Sequence, residues 1–193
     1  MPRPPQPGPP DAAEVFSDFV AARGAALQRT AYLLVGERGL AQDLVQEALT
    51  RTWAAWPRIK DPQRAEAYTR RAMTNTAISW YRRRSWRGER PSASIPEGAE
   101  PTQVGHEDTV GESDRLWRAL AALPPRQRAV LVHRFYDDLS EADTARLMGC
   151  APGTVKSQVS AGLKKLRLLV PDLELTDRPH ATDVPAPAKE PTR

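Results

Sequence analysis

The chain has 193 residues, enough for one large domain or two small ones that each bury a core. A single cysteine, Cys150, excludes an internal disulfide framework and brings no companion ligands for a structural metal, and no cofactor is expected. The formal net charge is only +4 (28 Lys and Arg, 24 Asp and Glu), but it is unevenly placed: residues 60–90 carry nine basic and three acidic groups, whereas residues 91–114 carry six acidic groups and no Lys or Arg. A basic stretch of this kind is an electrostatic footprint for nucleic acid.

Residues 1–12 are dense in proline and read as a disordered tail. Nothing there has the apolar run of a signal peptide, and no stretch approaches the roughly 18 apolar residues that span a membrane. The expectation is a cytoplasmic chain without membrane insertion. From Val15 the pattern turns helical, with Phe16, Phe19, Val20, Ala26, Leu27, Ala31, Leu33 and Leu34 recurring at threes and fours up to Gly36. Gly39 opens a second helix whose buried side is predicted to be Leu40, Leu44, Ala48, Leu49, Trp53 and Trp56, and which Pro57 stops. Gln42, Asp43, Gln46, Glu47 and Thr50 face outward, which on the residues alone reads as a solvated surface.

A third helix is predicted over residues 62–84. Arg70, Arg71, Arg82, Arg83 and Arg84 are interleaved there with Tyr68, Trp80 and Tyr81, a mixture suited to phosphates and to stacked, unpaired bases. Tyr68, Ala72 and Trp80 are equally suited to pack on the first two helices. Of the five arginines only Arg70 has an acidic residue one turn away, Glu66 at i−4. These helices define a first domain over residues 13–90. Residues 91–112, rich in Pro, Gly, Ser and acid, form a flexible acidic linker that either stays solvated or mimics nucleic acid inside a basic channel.

The second domain, residues 113–170, begins with two support helices: one carries Leu116, Trp117, Leu120 and Leu123, and the other, with Val130, Leu131, Arg134 and Phe135, runs from Gln127 to Tyr136 after Pro124 and Pro125. His133 reads as a satisfied structural histidine. Residues 139–168 then spell a helix, a tight turn and a second helix. Ser140 caps the first with Asp143 as the acidic partner of a capping box, Gly149 ends it, and Pro152 suits the first position of the next. Val155, Val159, Leu163 and Leu166 make one apolar stripe. The opposite face carries Lys156, Ser157, Gln158, Ser160 and Lys164, groups able to reach base edges and phosphates in a major groove. Any helical hairpin with a polar outer face gives part of this pattern. Small Ala145 suits the close crossing of the two helices, and residues 171–193 read as a second proline-rich tail.

In this order the motifs resemble the extracytoplasmic-function sigma factors of bacterial RNA polymerase, within the sigma-70 family, and are similar to its actinobacterial sigma-E-like group. Asp43-Leu44-Val45-Gln46-Glu47-Ala48 is similar to region 2.2, residues 67–84 to regions 2.3 and 2.4, and residues 123–128 through 153–157 to region 4. The resemblance implies an all-α fold of two small helical domains, a region 2 bundle and a region 4 helix-turn-helix, and a non-enzymatic role in transcription initiation. It implies that Asp43, Gln46 and Glu47 contact the β′ coiled coil of core polymerase. Arg64, Arg70, Arg71, Asn75, Trp80, Tyr81, Arg82, Arg83 and Arg84 would melt and hold the minus-10 element as a single strand. Thr154, Lys156, Ser157, Gln158, Ser160, Lys164 and Arg167 would read the minus-35 duplex. It also admits an anti-sigma factor as a partner, on which the residues themselves are silent.

Two positions depart from the family's common pattern. Ala151 stands where a serine cap is frequent, and Cys150 stands where an aliphatic residue is frequent. The alternative reading is a free-standing helix-turn-helix regulator that binds duplex DNA without polymerase. An enzyme has little support: His106, His133 and His180 lie in the linker, a support helix and the tail, and there is no phosphate-binding glycine loop.

Overall fold

The structure, a computed structural model, describes residues 11–59, 61–86 and 109–171; the side chains of residues 62, 63, 84–86 and 109–114 are not among those described. The expected tails over residues 1–10 and 172–193, and the linker over residues 91–108, lie outside the described residues. Within them every regular element is helical.

Helix α1 (Ala12–Val35) ends where Gly36 takes the left-handed conformation at φ 84°, its N–H donating to the Tyr32 carbonyl at 2.8 Å. Glycine is required there twice over, because a Cβ would also stand 2.0 Å from the Trp117 ring. Helix α2 (Arg38–Ala55) starts one residue earlier than the glycine suggested. The Glu37 carboxylate accepts from the backbone N–H of Gly39 at 2.8 Å and of Leu40 at 3.1 Å, a cap that sequence reasoning missed. Pro57 ends α2 through a 3₁₀ turn (Trp56–Arg58), and α3 follows (Pro62–Trp86).

These three helices share one core built on Leu27, Ala31, Leu34, Leu44, Ala48 and Met73. Thr52 of α2 and Thr69 of α3 are both buried, and their hydroxyls meet at 2.8 Å, so the helix contact is polar but satisfied. Two apolar expectations fail, at Trp53 and Phe135, and the packing alternative left open for Tyr68 is not taken. Trp53, assigned to the buried side of α2, is 45% exposed, and Tyr68, offered as core, is 41% exposed. Phe135 is exposed as well. Trp53 still packs on Phe16 in a tilted arrangement with ring centroids 4.9 Å apart, so it lies at the edge of the apolar stripe, where periodicity cannot tell core from rim. Ala72 is buried and Trp80 half-buried against the first core, the packing alternative of the two left open for them.

In the second unit α4 (Thr109–Ala121) begins inside the segment read as linker, and α5 (Pro125–Leu131) starts at the second proline of the Pro-Pro pair. The expected helix through Tyr136 does not continue as α-helix. It widens into a π-helical turn (Val132–Tyr136) in which the Asp137 N–H donates to the Val132 carbonyl at 3.0 Å. Helix α6 (Glu141–Met148) and helix α7 (Pro152–Leu169) form the helix-turn-helix. Ser140 Oγ accepts from the Asp143 N–H at 3.0 Å and donates to the Asp143 carboxylate at 2.6 Å. Gly149 takes φ 63°, and Ala151 caps α7 with its backbone alone. Val155, Val159, Leu163 and Leu166 are buried together with Val130, Leu131 and Ala145 in a second core. Gly162 lets α7 approach α5, since a Cβ there would stand 2.9 Å from Leu131 Cδ1. Cys150 is a free thiol, half-buried against this core.

Candidate nucleic-acid interface

The outer face of α7 follows from its buried stripe. With Val155, Val159, Leu163 and Leu166 turned inward, Thr154, Lys156, Ser157, Ser160, Lys164 and Arg167 are exposed and Gln158 is half-buried. Ser157 Oγ donates to the Thr154 carbonyl at 2.9 Å, which ties one hydroxyl to the first turn and leaves its oxygen able to accept. All but Arg167, which stands in the last turn, lie on the N-terminal and central turns of the second helix of a helix-turn-helix, the part that meets base edges in such motifs.

The α3 residues divide into two sets. Arg64, Arg71, Asn75, Arg82 and Arg83 are exposed, and the Arg84 side chain lies outside the described residues. Arg70 and Tyr81 are instead engaged inside the protein. Arg70 donates to Glu66 at 2.9 Å, which is the i−4 pair visible in the sequence, and is also paired with Asp137 at the end of the π turn. Burial alone would lower the pKa of the Arg70 guanidinium, but its hydrogen bonds and charge interactions with Asp137 and Glu66 outweigh that and raise it. Arg23 of α1 shares Glu66 at 3.1 Å.

Tyr81 donates its hydroxyl hydrogen to the Val35 carbonyl at 2.9 Å and accepts from the Arg128 guanidinium at 2.6 Å. Arg128 is almost fully buried. It also donates to the carbonyls of Leu34 at 3.0 Å and Ala121 at 2.6 Å, and its guanidinium carbon lies 4.7 Å from the Tyr81 ring centroid. Sequence reasoning did not single out Arg128 or Asp137. Each looks like an ordinary surface charge in one dimension, because its partners lie on distant helices.

On α2, Asp43, Gln46 and Thr50 are exposed, and Glu47 is half-buried with an i,i+4 partner, Arg51, at 2.5 Å. Exposed pairs of this kind contribute little to stability, so Glu47 is free to exchange its partner for another cation. His133 is fully buried as a structural histidine, its Nδ1 2.7 Å from Asp137 Oδ2 and its Nε2 2.8 Å from the Thr74 hydroxyl. Among the described residues no group of three or more His, Cys, Asp or Glu could hold a metal, and no helix is long and apolar enough to cross a membrane.

Two family models match the chain: Sigma-70 region 2 over residues 19–87 and Sigma-70, region 4, over residues 113–166. The RNA polymerase sigma-E factor of Streptomyces coelicolor is 39% identical over 163 residues, covering 82% of this chain and 89% of that protein. The ECF RNA polymerase sigma factor SigL of Mycobacterium tuberculosis is 35% identical over 155 residues, covering 79% and 86%. Among solved structures, the sigma factor RpoE from Bartonella quintana, crystallised with the anti-sigma factor NepR, matches with a TM-score of 0.66 and 26% identity over 86% of this chain and 99% of that one. CnrH, solved with the cytosolic domain of CnrY, shares the fold at a TM-score of 0.60 and 21% identity, covering 82% and 89%. The two helical units, their order and these relatives together place the chain in the extracytoplasmic-function group of the sigma-70 family, a non-enzymatic sigma factor related to the actinobacterial sigma-E and SigL proteins.

Proposed function

We propose that this chain binds core RNA polymerase through α2 and directs it to promoters, with α7 in the minus-35 major groove and α3 holding the displaced minus-10 strand. The observation that carries this reading is the polar face of α7: Lys156, Ser157 and Ser160 exposed over buried Val155 and Val159. Lys156, Gln158 and Ser160 are placed toward bases, and Lys164 and Arg167 toward phosphates. Exposed Asp43 and Gln46 beside Glu47 support a contact between α2 and the β′ coiled coil. On α3, exposed Arg64, Arg71, Asn75, Arg82 and Arg83 with half-buried Trp80 supply charge and an aromatic plane together. Flipping a base costs a few kcal/mol, which stacking of about 1–3 kcal/mol per base offsets only with phosphate contacts added.

The Bartonella relative's anti-sigma partner supports an anti-sigma factor as a further partner of this chain. The chain itself makes and breaks no bond. Asp43→Ala combined with Glu47→Ala tests the polymerase contact in a pull-down with purified core enzyme. The expected result is a loss of binding of about tenfold, equivalent to roughly 1.4 kcal/mol, with unchanged helicity. Full retention of core binding would instead favour a free-standing duplex-DNA regulator.

A further inference from the structure

The roll of α3 about its own axis is set by the residues it buries. Ala65, Thr69, Ala72, Met73 and Thr76 turn inward, and the Thr69 hydroxyl meets Thr52 of α2 at 2.8 Å. That leaves another face to solvent. Arg64, Tyr68, Arg71, Asn75 and Arg82 fall at i, i+4, i+7, i+11 and i+18, so they stand in one line along the helix, and all are exposed. The line runs for about 27 Å at the rise of an α-helix, and no Asp or Glu stands on it.

The aromatic residues of α3 differ in what they can offer a ligand. Trp80 is half-buried against the first core, and Tyr81 is half-buried with its hydroxyl donated to the Val35 carbonyl of α1. Both rings are held by the packing of the first three helices. Tyr68 is 41% exposed, more than any other described aromatic of α3, and no described residue bonds its hydroxyl. One exposed aromatic is ordinary by itself. What singles Tyr68 out is its flanks: Arg64 stands one turn before it and Arg71 one turn after it. Among the described residues neither arginine has a carboxylate partner, in contrast to Arg70, which Glu66 and Asp137 hold.

We propose that Tyr68 is the platform on which one unpaired base of the displaced strand stacks, with Arg64 and Arg71 taking the phosphates on either side of it. This rests on the assignment of α3 to the minus-10 strand, and it moves the stacking centre from Trp80 and Tyr81 to the N-terminal half of the helix. A ring accepts any base by its π face, and the two guanidiniums fix where along the strand that base lies. Buried residues before and after position 68 hold the helix in place, so stacking immobilises only one short, stiff side chain.

The test uses holoenzyme assembled from purified core polymerase and the full-length chain. The probe is a 20-nucleotide single-stranded DNA of mixed sequence with 5-iododeoxyuridine in place of thymidine. Irradiated wild-type holoenzyme is expected to crosslink the strand at Tyr68, read by mass spectrometry of the peptide. Tyr68→Ala is expected to weaken strand binding about tenfold with its salt dependence and helicity retained, and Tyr68→Phe, which keeps the ring, to restore most of that loss. Arg64→Ala with Arg71→Ala is expected instead to lower the salt dependence, by about 0.7 in log–log slope for each phosphate contact removed. Wild-type affinity in Tyr68→Ala overturns the platform. So does a Tyr68→Phe variant as weak as Tyr68→Ala, or a crosslink that maps to Trp80 or Tyr81 and not to Tyr68. If Tyr68→Ala loses helicity, the crosslink position in the wild type decides. Holoenzyme that binds the strand no more tightly than core polymerase alone sinks the single-strand reading of α3 and the platform with it, so the two failures are told apart.

Discussion

Asp137 shows how one carboxylate can be structurally decisive. Burial alone would raise its pKa, but the hydrogen bonds from His133 and Arg70 and the charges behind them hold it below the ordinary value of 3.8. A group with a depressed folded-state pKa adds stability that is fully present above its unfolded pKa and is lost as pH falls through the folded one. Urea midpoints should therefore fall more steeply below pH 3.8 in the wild type than in Asp137→Asn, and parallel pH profiles would contradict the assignment. Gly36 is the second decisive residue. Gly36→Ala forces a Cβ into the left-handed region and into the Trp117 ring, and should cost roughly 2–4 kcal/mol in chemical denaturation, the sum of a backbone and an overpacking penalty.

At the level of elements, most boundaries were legible because their causes are local. Ser140 with Asp143, Gly36, Gly149 and Pro152 each act within one turn, and the stripe Val155, Val159, Leu163 and Leu166 is buried as its spacing required. What periodicity could not resolve was the rim of each stripe, where Trp53, Tyr68 and Phe135 stand exposed. The π turn was also illegible. It inserts one residue per turn without a marker residue, and it is what carries Asp137 to Thr30 of α1 and Arg70 of α3, distant in the sequence. Helix α7 offers a prediction of its own. Ala151 already has the extended backbone of an N-cap but no side chain to use there, so Ala151→Ser should stabilise the fold by about 1 kcal/mol in thermal or urea unfolding. No gain would mean that Pro152 alone sets the start of the helix.

For the whole molecule, the two candidate DNA surfaces differ in how far one-dimensional reading could take them. The face of α7 depends only on its own buried stripe, and Lys156, Ser157, Ser160 and Lys164 are exposed as expected. The surface of α3 depends on what packs across it, and two of its residues, Arg70 and Tyr81, are held by Asp137 and Arg128, 67 and 47 positions away. Replacing exposed Arg82 and Arg83 with alanine should therefore weaken open-complex formation and lower its salt dependence, by about 0.7 in log–log slope for each single-strand phosphate that is no longer neutralised. Permanganate footprinting that shows normal melting in this variant would contradict the single-strand role.

The central claim is tested most directly by transcription in vitro from fragments of the source genome, with purified core polymerase and this chain as the sole added factor. Discrete start sites that require the chain are predicted. Lys156→Ala is predicted to relax preference at one upstream base position by about 1–3 kcal/mol. Chain-dependent binding to duplex DNA with no chain-dependent start site would contradict it.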